Sequence, residues 1–155
     1  MAGIYIHVPF CKTRCIYCDF YSTTRSKWKG RYIEALCKEL EMRYTYLKGK
    51  PIETLYFGGG TPSQLDEKDF RKVFDTVRRV YGMENCHEIT LEANPDDLCP
   101  EYLQMLSELP FNRIIMGIQT FDDTTLKLLK RRHNAAQAIR AVELCRAHGF
   151  RNISI

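Results

Sequence analysis

A chain of 155 residues, 45% hydrophobic and 27% charged, can bury one ordinary core and is neither disordered nor low in complexity. Its net charge of +4 is too mild to mark a dedicated nucleic-acid binder, and no apolar run approaches the roughly 20 residues that span a bilayer. Seven cysteines, an odd number without a regular framework and with no basic-then-apolar leader, fit a reducing compartment better than a disulfide scaffold, so a cytoplasmic location is expected.

The first predicted element is a buried or half-buried strand over residues 3–8. It runs into Cys11, Cys15 and Cys18, within Tyr5-Ile-His-Val-Pro-Phe-Cys-Lys-Thr-Arg-Cys-Ile-Tyr-Cys. Two basic clusters, Arg25 to Arg31 and Lys127 to His133, could meet nucleic acid or an anionic ligand, and the first reads rather as solvated surface. The apolar stripe Ile33, Leu36, Cys37, Leu40, Tyr44 and Leu47 predicts a helix over 31–47. Residues 53–57 form a second strand that should end abruptly at Gly58-Gly59-Gly60-Thr61-Pro62. Asp66 caps a further helix, with Phe70, Val73, Phe74, Val77 and Tyr81 on its inner face and Gly82 as its stop.

The pattern then repeats. A strand over 88–92 precedes a helix over 100–109 that carries Pro100 in its first turn. A fourth strand covers 113–118. Asp122 caps a short helix to about residue 130, Asn134 caps another that Gly149 ends, and 152–155 begin a fifth strand. Strands alternating with helices predict a parallel α/β sheet joined by right-handed crossovers. Four strands and a stub do not close a barrel, so this sheet is expected to be the first part of a longer protein. Cys37 and Cys145 fall on apolar helix faces as small core residues, and Cys86 and Cys99 lie near loops.

Three thiolates spaced C-x3-C-x2-C are soft ligands for iron–sulfur or zinc and leave a four-ligand centre one short. His7 or Asp19 could complete a zinc site; a thioredoxin-like use of Cys15 and Cys18 would leave Cys11 without a role. Gly58 to Pro62 lacks the lysine of a P-loop and the spacing of a dinucleotide fingerprint. Three successive glycines do bare backbone groups to which a ligand can hydrogen-bond. Glu92 closes the third strand, Gln119 the fourth, and Arg131 offers a planar fork for a carboxylate. All follow the C-terminal ends of strands, the rim on which parallel α/β barrels build their sites.

Taken with Phe57-Gly-Gly-Gly-Thr-Pro62, Glu92-Ala-Asn-Pro95 and Gly117-Ile-Gln-Thr-Phe121, the cysteine string resembles the radical S-adenosylmethionine (SAM) superfamily. Within it, the chain resembles the oxygen-independent coproporphyrinogen III oxidase family and its haem chaperone branch. The resemblance covers essentially the whole chain and implies a partial, TIM-like barrel, truncated after about four and a half β/α units. Residues 1–155 would be the N-terminal part of the core domain, with the rest of the barrel and a C-terminal domain beyond them.

The resemblance further implies a [4Fe–4S] cluster on Cys11, Cys15 and Cys18, with SAM on the open iron, cleaved to a 5′-deoxyadenosyl radical. By similarity Tyr5 lies near the sulfonium and Tyr17 near the cluster. Gly59, Gly60, Thr61, Glu92, Gln119 and Arg131 would contact SAM, with Arg132 a neighbouring alternative to Arg131. Phe20 stands where the oxidases usually carry a fourth cysteine, and the chain has only ten residues ahead of Cys11. Both differences favour the chaperone branch, with haem or porphyrin and haem-accepting proteins as partners and flavodoxin or ferredoxin as reductant. A decarboxylating oxidase is the main alternative, and a tRNA-modifying enzyme of the superfamily a third.

Overall fold

The computed structural model describes residues 2–155. Five strands form one sheet: β1 (Gly3–Val8), β2 (Thr54–Gly59), β3 (Glu88–Ala93), β4 (Arg113–Met116) and β5 (Asn152–Ser154). All neighbours pair in parallel in the order β1-β2-β3-β4-β5. That unreversed order is the winding of a barrel rather than of a doubly wound sheet, whose strand order turns back at a switch point. The helices are α1 (Lys29–Met42), α2 (Glu67–Tyr81), α3 (Pro100–Ser107), α4 (Asp123–Leu128) and α5 (Ala135–Ala147). The expected α/β architecture is therefore present as an open arc of five strands with flanking helices. Among the described residues no helix is long and apolar enough to cross a membrane.

Strand alternation divides the sheet into two faces. Ile6 and Val8, Leu55 and Phe57, Ile89 and Leu91, and Ile114 and Met116 point to the helices and are almost fully buried. Phe57, Phe70, Phe74 and Phe111 pack at steep interplanar angles with centroids 5.0–5.6 Å apart. Burying each such ring stabilises the fold by about 2–3 kcal/mol. The opposite face carries Tyr5, His7, Tyr56, Glu92 and Arg113, and there Tyr5 remains 56% exposed.

Several expected boundaries shift. The helix expected over 31–47 starts at Lys29 and stops at Met42, followed by a 3-10 turn over Tyr44–Leu47. Beyond Leu40, Met42 and Tyr44 are exposed, and only Leu47 of the stripe returns to the core, from the 3-10 turn. Where α1 ends, the Tyr81 hydroxyl donates to the Leu40 carbonyl (2.8 Å). The second strand does not stop at the glycines: Gly58 and Gly59 continue β2 opposite His7 and Val8. The fourth strand ends at Met116, two residues before the expected boundary, and α3 ends at Ser107.

Helix caps follow the sequence. Asp66 and Asp69 form a reciprocal capping box on α2, as do Asn134 and Gln137 on α5. Lys29 links the start of α1 to that of α2 through Asp66 (3.0 Å) and Asp69 (3.2 Å). Cys37 and Cys145 are buried in the core, and burial pushes the Cys145 thiol up to about 11. Cys86 is half-buried and Cys99 exposed.

Candidate functional site

The cysteine loop leaves β1 through a fixed neck. Cys11 N–H donates to the Thr23 carbonyl (2.9 Å) and Thr23 N–H to that of Pro9 (2.7 Å). Phe10 is buried beneath this bridge, edge-on to Tyr32, whose hydroxyl donates to the His7 carbonyl (2.6 Å). His7 Nε2 contacts the Tyr21 carbonyl at 2.8 Å, so this nitrogen carries the proton. Nδ1 then accepts from the Tyr5 hydroxyl (3.2 Å).

With both nitrogens engaged, His7 is not offered to a metal. Among the described residues no three His, Cys, Asp or Glu side chains stand together so as to hold one ion. Engagement of both His7 nitrogens removes one of the two fourth ligands named for the zinc alternative. That no three such side chains meet does not argue against a four-iron cluster, which takes one thiolate per iron, its ligands surrounding a cube instead of meeting at a point.

One cleft brings together Cys11, Cys15, Tyr17, Cys18, Gly59, Gly60, Thr61, Glu92, Gln119 and Arg131. Of the cluster and SAM candidates only Tyr5 is outside its lining, as are the zinc candidates His7 and Asp19. Tyr5 sits on the neighbouring strand beside Tyr56, with ring centroids 5.7 Å apart. Burial, and then the nearby charge of Glu92, push the Tyr5 phenol upward. Tyr17, half of whose surface is covered, packs by Cys15 and Arg131, and burial raises its phenol as well.

The glycines allow the loops to meet. A Cβ on Gly60 would stand 2.9 Å from the Pro9 carbonyl carbon and 3.0 Å from Cys11 Sγ. Gly59 adopts φ +110° against the His7 ring, a conformation that favours glycine. Thr61, next in line, donates from its hydroxyl to Cys11 Sγ (3.4 Å).

Glu92 is held at a defined angle. Tyr56 donates to Oε1 (2.5 Å) and Gly59 N–H to Oε2 (3.1 Å). Burial, then its bond to Glu92, pushes the Tyr56 phenol strongly upward, so it stays a donor. Past β4 the chain turns sharply, and Gln119 takes φ +73°, an uncommon conformation for a residue with a side chain. Backbone strain of this kind costs on the order of 1–3 kcal/mol and concentrates at ligand sites.

Arg131 is aimed by the end of α4. Lys130 is left-handed (φ +57°) and Arg131 N–H reaches back to the Leu126 carbonyl (2.9 Å), a Schellman-type stop. One amino group of the guanidinium, Nη2, binds Asn94 Oδ1 (2.7 Å) and the Gly117 carbonyl, and Nη1 points to Cys15 Sγ (3.3 Å). Arg132 turns the other way, to Asp96 (2.7 Å) and Asp97 (3.3 Å). The structure thus separates the two adjacent arginines that the sequence left as alternatives.

Sequence reasoning missed Tyr56, Asn94 and the buried Asp97. Asp97 accepts from Lys12 of the cysteine loop (2.7 Å), Ser63 (2.7 Å), Gln64 (2.8 Å) and Arg132, tying the loops together behind the cleft. Asn94 lay in a noted motif, but nothing local marked it as the partner of a residue 37 positions away. Three buried polar atoms of cleft-lining residues lack a partner among the described residues: Arg131 Nε, Ser22 Oγ and Asp96 Oδ1. The orphaned cationic N–H and three soft cysteine ligands suit an anionic group and an iron–sulfur cluster.

Residues 5–155 match the model of the Radical SAM superfamily. The chain is 40% identical to the heme chaperone HemW of Bacillus subtilis, over all of this chain and 41% of that protein. It is 34% identical to HemW of Escherichia coli, over 99% of this chain and 41% of that one. Among solved structures it resembles coproporphyrinogen III oxidase (HemN) from Escherichia coli, described as a radical SAM enzyme. That likeness has a TM-score of 0.85 and 26% identity, covering 96% of this chain and 35% of that one. The radical SAM family implies a [4Fe–4S] cluster and SAM, and on a match to all but its first four residues this chain belongs to the radical SAM superfamily.

Proposed function

We propose that Cys11, Cys15 and Cys18 hold a [4Fe–4S] cluster and that SAM occupies the adjoining cleft, in a protein that serves as a haem chaperone. The observation that supports the site is the meeting, in one cleft, of the cysteine loop with residues from the ends of β2, β3 and β4. The N–H groups of Gly59 and Gly60 are taken by Glu92 Oε2 and the Val8 carbonyl, so the glycines serve by letting a ligand approach the backbone closely. Glu92, fixed by Tyr56, offers an acceptor for a hydroxyl or ammonium. Gln119 presents an amide from a strained turn. Tyr17 shields the thiolates, and Tyr5 borders the Glu92 side. When bound, the cluster supplies a single electron to the sulfonium of SAM. The chain's own part is to bind, orient and keep water from the reacting groups.

The chaperone reading is supported by the relatives named HemW and by Phe20, which lines the cleft where an oxidase usually has another cysteine. Residues 1–155 would be the N-terminal part of the core, consistent with a span of 41% of those relatives. Haem, haem-accepting proteins and a flavodoxin or ferredoxin would be the partners, in the cytoplasm. The structural likeness to HemN favours the second reading, a coproporphyrinogen III oxidase.

Anaerobic iron–sulfur reconstitution of the full-length protein, with electron paramagnetic resonance with and without SAM, tests the site. A cluster whose spectrum changes with SAM is expected; no cluster, or one indifferent to SAM, refutes it. Haem transfer to an apoprotein without decarboxylation of coproporphyrinogen is expected for the chaperone. Anaerobic formation of the decarboxylated product would decide for the oxidase.

A further inference from the structure

We propose that Arg131 sets the reduction potential of the cluster, by donating a charge-assisted hydrogen bond from Nη1 to the Cys15 thiolate. The inference rests on the cluster reading above and adds to it a role for this residue that does not involve SAM.

Arg131 and Arg132 are neighbours of opposite fate. Arg132 is neutralised by Asp96 and Asp97. No carboxylate among the described residues lies within ion-pair distance of Arg131. The acceptor at its tip is instead Cys15 Sγ, 3.3 Å from Nη1, which becomes a thiolate on ligating the cluster.

The guanidinium is also held in place. Asn94 Oδ1 and the Gly117 carbonyl both accept from Nη2, and the Schellman-type turn after α4 fixes the backbone from which the side chain departs. A second contact, Ile16 N–H to the Leu129 carbonyl (3.4 Å), joins the same turn to the cysteine loop. The cation is therefore pinned beside one particular thiolate, where a mobile surface arginine would average away.

Hydrogen bonds to cluster sulfurs, and charge beside them, are levers on potential. Adding an electron makes the cluster more negative. A fixed cation at a ligand sulfur stabilises that state more than the oxidised one, so Arg131 raises the potential and makes the cluster easier to reduce. Arg131 Nε is buried and has no partner among the described residues.

The test is a redox titration of reconstituted full-length protein in the absence of SAM, monitored by electron paramagnetic resonance. Wild type is compared with Arg131→Lys, Arg131→Met and Asn94→Ala. The expected order of potentials is wild type highest, Arg131→Lys intermediate and Arg131→Met lowest. Asn94→Ala, which keeps the charge but releases its clamp, should also fall below wild type. Should Arg131→Met fail to hold iron, Arg131→Lys and Asn94→Ala carry the comparison.

Equal potentials in variants that all hold a cluster overturn the proposal, even if their SAM affinity drops, since that leaves Arg131 as a SAM contact alone. A wild-type protein that takes up no cluster would instead overturn the cofactor reading beneath it.

Discussion

Replacing Asp97 with alanine should loosen the whole rim of the cleft. Its side chain is only 3% exposed and accepts from four side chains on three separate segments. The losses are unequal. Lys12 is 52% exposed and rehydrates, so its ion pair contributes at most about 0.5 kcal/mol. Arg132 keeps Asp96 at 2.7 Å. Ser63 is buried and Gln64 partly so, and each loses an acceptor at 2.7 and 2.8 Å, costing about 1–2 kcal/mol apiece. The total is about 3 kcal/mol. Asp97→Asn keeps the shape but turns an amide donor toward other donors, and should recover less than half of that loss. Urea and thermal unfolding of the full-length protein measure the effect, with iron content read in parallel. A loss below about 0.5 kcal/mol for Asp97→Ala would refute the reasoning, because surface substitutions with no partners do as much.

Gly60→Ala places a methyl 2.9–3.0 Å from Pro9 and Cys11 Sγ, so it should cost about 1–3 kcal/mol and sharply reduce iron uptake, read as iron per chain after reconstitution. Glu92→Gln presents an amide to the Tyr56 hydroxyl or the Gly59 N–H, both donors. SAM binding measured by calorimetry should weaken about tenfold or more with cluster content unchanged. His133 is buried, and burial, reinforced by the charge of Arg131, lowers its pKa. The unfolded chain then binds the proton more readily than the folded one. Stability should be full above the ordinary histidine value of about 6.5 and fall as the pH drops from there to the lowered folded value, by at most about 1.4 kcal/mol per pH unit. Unfolding midpoints between pH 8 and 5 read this, and His133→Gln should flatten the slope.

The parts of the fold legible in the sequence were those governed by local rules. The caps at Asp66 and Asn134 act through hydrogen bonds three residues away, and the alternation of β1 is visible within a six-residue run. The ends of α1 and β2 were misplaced because contacts distant in sequence set them. The end of α1 meets Tyr81, 41 residues beyond the carbonyl it binds. β2 continues through its glycines because β1 lies alongside, close enough that a side chain at Gly59 would strike His7.

The same division runs through the site. By itself the sequence pointed to the chemistry, since C-x3-C-x2-C and a glycine run are short-range patterns. The spacing reads as a soft-metal or iron–sulfur site one ligand short, and the radical SAM resemblance narrows that reading to a cluster. It also determined the rim, because each motif follows a strand and parallel strands end on one side. Only the tertiary structure decided which arginine faces the thiolates and which joins Asp96 and Asp97, how Tyr56 orients Glu92, and that Asp97 braces the loops. Those choices depend on contacts such as Arg131 to Cys15, 116 residues apart. Such contacts exist only once five strands have been laid side by side, and no local pattern in the chain encodes them.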